Sequence, residues 1–195
     1  GAHIAALLQK YTADLIEGNP HADEVLLYDD GQSLIPFTVL LRTIQARNFD
    51  VAIVVHPTPR LAWLLFRARV PERIGSGYRY YSPLFNRRVY EHRKDARRHE
   101  LEYNLNLLQQ LHCSIGGEPE FSLTIPLHAD ANVDNLFASL AIDREKEIIV
   151  VHPGTGGSAK EWPAEYFGLL AARLQAERDS QIIVTGSKGE EHKVA

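Results

Sequence analysis

The chain has 195 residues, 45% of them hydrophobic, and a formal net charge of -4. That balance belongs to a globular chain of one or two domains, and it lacks the strong basicity of a nucleic-acid binder. No apolar run approaches the roughly 20 residues that span a bilayer.

Gly1 to Lys10 lack the basic-then-apolar order of a signal peptide. The lone cysteine, Cys113, forbids an internal disulfide and is expected to be a small buried thiol in a reducing, cytoplasmic protein. The chain contains no methionine, opens on a strand-like run and stops in a helix-like one, so truncation at both ends is expected.

Taken in order, Ala2–Leu8 reads as a short strand and Tyr11–Glu17 as a helical turn stopped by Asn19–Pro20. Val25–Tyr28 is a short apolar run closed by the turn residues Asp29, Asp30 and Gly31. Ser33–Ala46 carries Leu34, Phe37, Leu40, Leu41 and Ile44 at helical spacing. Val51–Val55 is the β-branched run of a strand buried on both faces.

Arg60–Arg69 predicts a helix, Arg73–Gly75 a short strand, residues 76–98 an irregular region and Glu100–Leu111 a helix. Phe121–Ile125 predicts a strand and Asn132–Leu140 a helix. Ile148–Val151, Pro163–Glu177 and Gln181–Thr185 then predict strand, helix and strand. This alternation is that of an α/β protein with mainly parallel sheets.

One echo is informative. Val54–Val55–His56–Pro57 and Val150–Val151–His152–Pro153 are the same four residues, each closing a strand before a helix. Two domains of one doubly wound type fit this repeat: residues 1–125, a connection over 126–146, and residues 147–195. In such sheets ligands sit beyond the carboxyl ends of the strands.

The segment from His152 to Pro163 carries the chemistry. Gly154, Gly156 and Gly157 let the backbone turn tightly and present its N–H groups to an anion. Thr155 and Ser158 add hydroxyls and Lys160 a full positive charge. Pro163 suits the first position of a helix, whose start gathers partial positive charge. A diphosphate is the natural guest.

The segment is not a P-loop, because Ala159 precedes Lys160 and Glu161 follows it. It contains G-x-G-x-x-A, but the helix starts too late and the next strand ends in Thr185–Gly186 rather than an acid, against a dinucleotide site. His152 is a candidate contact beside the loop, whereas His56 reads as an ordinary strand-end residue. Glu190 can accept ribose hydroxyls or simply favour the first turn of a helix. The histidines show no metal-ligand spacing.

Arg87, Arg88, Arg93, Lys94, Arg97 and Arg98 lie near Tyr78, Tyr80, Tyr81 and Tyr90. Arginine suits phosphate and carboxylate, and aromatic rings stack on sugar faces. An anionic glycolipid, an anionic membrane or a plain solvated surface all fit this segment.

The run from His152 to Trp162–Pro163, with Tyr166–Phe167, Ile183–Val184–Thr185–Gly186 and Glu190, resembles the family 9 glycosyltransferases, the ADP-heptose:lipopolysaccharide heptosyltransferases. Upstream, Asn19–Pro20 with Asp23–Glu24–Val25, Phe49–Ile53, Arg73–Ile74–Gly75, and His99–Glu100 with Asn104 are similar too.

The resemblance implies a GT-B fold of two Rossmann-like domains, both incomplete in this chain. The first would take the acceptor, through Arg87, Arg88, Arg97 and Arg98. The second would take the nucleotide-sugar, through His152, Gly154, Thr155, Gly156, Gly157, Ser158, Lys160 and Glu190. Thr155 and Lys160 would contact the diphosphate and Glu190 the ribose.

Transfer from ADP-heptose or a similar donor to a lipopolysaccharide core would invert the anomeric centre without a bound metal or other cofactor. Partners would be the donor, an anionic glycolipid and, peripherally, the cytoplasmic face of the inner membrane, with no nucleic acid. The family's glycine–aspartate loop with its general base has no match here, and neither Asp14 nor Asp23 takes that role. The later Asp-Thr/Ser-Gly segment is also unmatched, so this piece alone is expected to be inactive. A non-catalytic nucleotide-sugar-binding module and a GT-B nucleotide-sugar epimerase are the alternatives.

Overall fold

A computed structural model describes residues 1–95, 97–113, 116–117, 123–155, 160, 162–187 and 189–191. It forms two compact units, Gly1–Pro126 and Leu127–Ala195.

In the first unit β1 (Ala5–Leu8) and β2 (Glu24–Leu27) run parallel, with Ala5 opposite Glu24 and Leu8 opposite Leu27. A second parallel sheet has the order β3 (Val51–Ile53), β4 (Glu72–Ser76) and β5 (Arg87–Val89). Parallel neighbours need crossovers. The one-turn helix α1 (Lys10–Ala13) lies between β1 and β2, α2 (Phe37–Arg47) between β2 and β3, and α3 (Pro59–Arg67) between β3 and β4.

Helix α2 buries Leu40 and Ile44, one turn apart, and stops at Asn48, whose φ of 50° is left-handed. Helix α3 starts where Thr58 accepts the Leu61 N–H at 3.2 Å and Pro59 occupies the first turn. Ala62, Leu64 and Leu65 of α3 join Leu26, Leu40, Ile44, Val54, Val70, Tyr81 and Phe85 in one core, on which Ala5, Leu7 and Ala52 of the strands pack.

The opposite face is covered unevenly. Helix α4 (Glu100–Asn106) and the 3-10 turn Leu107–Leu111 replace the single helix expected there, and the turn lies against β4 and β5. Ile74, Tyr103 and Leu107 are buried in that region. Val51 and Ile53 of β3 remain 37% and 36% exposed. The reading of Val51–Val55 as buried on both faces is therefore corrected: Ala52 and Val54 face the core, whereas Val51, Ile53 and Val55 stay partly exposed on the other side.

Three more expectations change. Residues 76–98 contain β5, paired in register with β4 from Ile74–Arg87 to Ser76–Val89. Leu123–Pro126 is irregular rather than a strand, and Phe121 and Ser122 lie outside the described residues. Cys113 is exposed, not buried.

The second unit holds α5 (Leu127–Ser139), β6 (Glu147–Val151), α6 (Ala164–Glu177) and β7 (Ser180–Val184). Residues 126–146, expected as a connection, thus contain α5, and the division falls after Pro126. β6 and β7 are parallel, in register from Glu147–Ser180 to Val151–Val184. Both nitrogens of Arg178 that face Glu147 bond its carboxylate at 2.8 Å, and Lys146 pairs with Asp179 at 2.8 Å. These bonds fix the amino ends of the pair.

Candidate functional site

The loop opens where β6 ends, at Val151. Pro153 is buried, Gly154 and Thr155 are half-buried, and His152 and Lys160 are exposed. Helix α6 begins at Ala164, with Pro163 at φ -55° and ψ 137° as its cap rather than its first residue, a shift of one position from the expectation. An extended proline there still ends the loop abruptly. Gly156, Gly157 and Ser158 lie outside the described residues.

Trp162 anchors the far side of the loop. Its ring stacks on Tyr166 at 5.5 Å and meets Phe167 edge-on at 5.1 Å. An aromatic residue just before the cap that packs on the fourth helical residue is a hydrophobic staple, and it sets the angle at which the chain enters the helix. Trp162 therefore holds the start of α6.

The loop after β7 lies beside the loop after β6. Thr185 donates its N–H to the Val151 carbonyl at 2.9 Å, and its Oγ1 lies 3.0 Å from His152 Nδ1. Further on, Glu190 Oε2 accepts the Ser187 N–H at 2.9 Å and the Ser187 hydroxyl at 2.6 Å. The Glu190 N–H donates back to the Ser187 carbonyl at 2.8 Å.

The Glu190 carboxylate stands directly over Gly154: a Cβ on that glycine would meet Oε1 at 1.9 Å. Glu190 closes a Ser-x-x-Glu turn with Ser187, and its carboxylate lies against Gly154.

His152, Gly154 and Glu190 are thereby brought together, with Thr155 next in the chain. Lys160 makes no ion pair among the described residues. Sequence reasoning missed Trp162, Thr185 and Ser187 as supports. The Ser-x-x-Glu spacing was the readable sign for Ser187.

The basic segment is less uniform than its sequence. Arg87 bonds Glu72 at 2.8 Å and the Gln110 carbonyl at 2.5 Å, so its guanidinium holds β5 to its neighbours. Arg93 is similarly occupied by Glu100 at 2.7 Å and Asn104 at 3.0 Å. Arg97 lies 3.7 Å from Asp95 with 82% of its side chain exposed. Arg88 and Arg98 are exposed and make no ion pair among the described residues. No group of three or more His, Cys, Asp or Glu converges among the described residues.

Fold and loops define a class, that of parallel α/β proteins whose polar loops open at the carboxyl ends of the strands. The family profile of glycosyltransferase family 9 (heptosyltransferase) matches residues 37–195, and the chain belongs to that family. It is 27% identical to a candidate glycosyltransferase of Haemophilus influenzae over 97% of its length, and it spans 56% of that relative.

Among solved structures, a family 9 glycosyltransferase of Veillonella parvula matches with a TM-score of 0.81 at 21% identity, over 98% of this chain and 56% of that one. The ADP-heptose lipopolysaccharide heptosyltransferase II of E. coli matches at 0.72 and 21%, over 98% and 57%. The fold is of the GT-B type, and the chain spans about half the length of these relatives.

Proposed function

We propose that this chain is the part of a heptosyltransferase that carries the donor diphosphate loop, and that the protein transfers a heptose from ADP-heptose, or a closely similar nucleotide-sugar, with inversion. The acceptor would be a lipopolysaccharide core or related surface glycan. The observation that carries this reading is the Glu190 carboxylate held over Gly154, at the strand-to-helix loop that leads to Lys160.

A carboxylate there can accept the ribose hydroxyls, while Thr155 and His152 stand beside the diphosphate. Breaking the bond from the sugar's anomeric carbon to the diphosphate leaves growing negative charge on the departing oxygen. The Lys160 ammonium would neutralise it without a metal, a preorganised electrostatic role. Arg88, Arg97 and Arg98 would attract the anionic acceptor. No described helix is long and apolar enough to cross a membrane. Action at the cytoplasmic face of the inner membrane is part of the proposal.

The test is Lys160→Ala in the complete enzyme, assayed by steady-state transfer from ADP-heptose with circular dichroism to confirm folding. Losing one such group costs ~3–4 kcal/mol, so turnover is expected to fall roughly a hundred- to thousandfold. Lys160→Arg should restore only part, because a planar fork replaces a compact charge. Near-normal turnover of folded Lys160→Ala would refute the assignment.

A further inference from the structure

We propose that Tyr78, Tyr90 and His92 form a rigid aromatic platform that stacks on a sugar ring of the glycan acceptor. This rests on the glycosyl-transfer reading and adds an aromatic subsite to it, beside Arg88. The three residues sit where ligands of open parallel sheets bind. Gly77 and Tyr78 follow β4 directly and Tyr90 follows β5 directly, and the Gly77 N–H donates to the Val89 carbonyl at 2.8 Å, joining the two strand ends.

The rings are held in place. Tyr90 lies so close over Gly77 that a Cβ there would meet its Cε1 at 2.3 Å and its Cζ at 2.5 Å. Tyr78 meets Tyr90 edge-to-face, centroids 5.3 Å apart and planes at 87°. The His92 ring lies 4.7 Å from Tyr78, and its Nε2 is 3.0 Å from the Tyr78 hydroxyl. Yet Tyr78 is 50% exposed and Tyr90 58%.

The same segment buries a tyrosine where burial is wanted: Tyr81 is 9% exposed, with its hydroxyl on the Pro57 carbonyl at 2.6 Å. Side chains that are both fixed and exposed offer contact area at little further entropy cost, the property of a preorganised binding surface. The Tyr78 hydroxyl is already engaged by His92, so what Tyr78 offers is mainly its apolar body. The C–H face of a pyranose fits such a body while its hydroxyls stay in water. Arg88, exposed on β5 two residues before Tyr90, supplies a cation for an anionic glycan.

The experiment titrates the full-length protein with delipidated lipopolysaccharide core oligosaccharide and, separately, with ADP. Tyr90→Ala and Gly77→Ala are each expected to raise the oligosaccharide Kd roughly tenfold, the latter without removing any ring. The ADP Kd should stay unchanged, and Tyr78→Phe, which keeps the ring, should bind close to wild type. An unchanged oligosaccharide Kd in Tyr90→Ala and Gly77→Ala would overturn the platform. So would absence of oligosaccharide binding by the wild type. Loss of partition onto anionic phosphatidylglycerol vesicles with oligosaccharide affinity retained would reassign the rings to a lipid surface, and would overturn it too. Failure of the wild type to bind ADP would count against the donor-site reading and leave the platform to be judged on the oligosaccharide arm.

Discussion

A methyl group at Gly154 would sit 1.9 Å from Glu190 Oε1. A carboxylate at the end of a flexible side chain can swing away, so Gly154→Ala should cost little stability. It should instead move the carboxylate off the loop. A hydrogen bond to a charged group contributes ~1.5–3 kcal/mol, so the donor KM is expected to rise about ten- to hundredfold. Ser187→Ala removes the 2.6 Å hydroxyl bond but keeps the backbone one, so a smaller rise is expected.

Steady-state kinetics with varied donor would test the proposed donor contact of Glu190. An unchanged donor KM in folded Gly154→Ala would leave Glu190 as the partner of Ser187 only. The place of the loop was legible in sequence because an apolar β-branched run before it and a helical run after it mark a strand-to-helix connection. The ion pair of Arg87 was not legible because its carboxylate partner, Glu72, lies 15 residues away on a neighbouring strand. Only pairing brings the two together.

At the scale of elements, long periodic segments read well and short ones did not. Helix α2 declared itself through Leu40 and Ile44, and α6 through its run to Glu177. Strand β5 was missed because a three-residue strand with two arginines has no apolar period; its partner β4 makes it a strand.

Strand β2 is tied to α2 by a charge pair: Arg47 Nε lies 2.9 Å and 2.8 Å from the two Glu24 oxygens. The Arg47 hydrogen bond is the main cause that holds the Glu24 carboxyl below its ordinary 4.5. Bonds from the backbone of Ser33 and Gln32 lower Asp30 likewise. A carboxyl whose pKa is depressed by folding contributes stability above its unfolded value, and that contribution is lost as pH falls through the folded value. The urea midpoint of the wild type should therefore fall more steeply than that of Glu24→Gln between about pH 6 and about pH 3. Parallel curves for the two proteins would show that this exposed pair adds nothing to stability.

For the whole molecule, strand–helix alternation was enough to foresee parallel α/β units. The repeated Val-Val-His-Pro falls at the carboxyl end of a strand in both units, just after β3 in the first and across the end of β6 in the second. What the sequence could not show is how much of each unit would be covered, because burial depends on partners far along the chain.

The first unit has a core built from α2, α3 and the strands beneath them. Among the described residues of the second unit, only Val151, Pro153 and Ser180 are buried. Leu136 and Leu140 at the end of α5 and Leu169 on α6 are each more than half exposed. A two-stranded sheet is marginal alone, and apolar side chains that stay in water contribute little of the ~25 cal/mol per Å² that burial supplies.

In the 195-residue chain, hydrogen exchange should thus reveal two levels of protection. Amides of α3 and β4 are expected to exchange slowly, through cooperative opening of the first core. Amides of β6 and β7 are expected to exchange far faster despite their regular pairing, and a hydrophobic dye should bind the bare faces. In a longer protein that covers these faces, the same β6 and β7 amides should become protected. Equal protection of β7 and α3 in the 195-residue chain would show that the second unit is stable by itself and overturn this account.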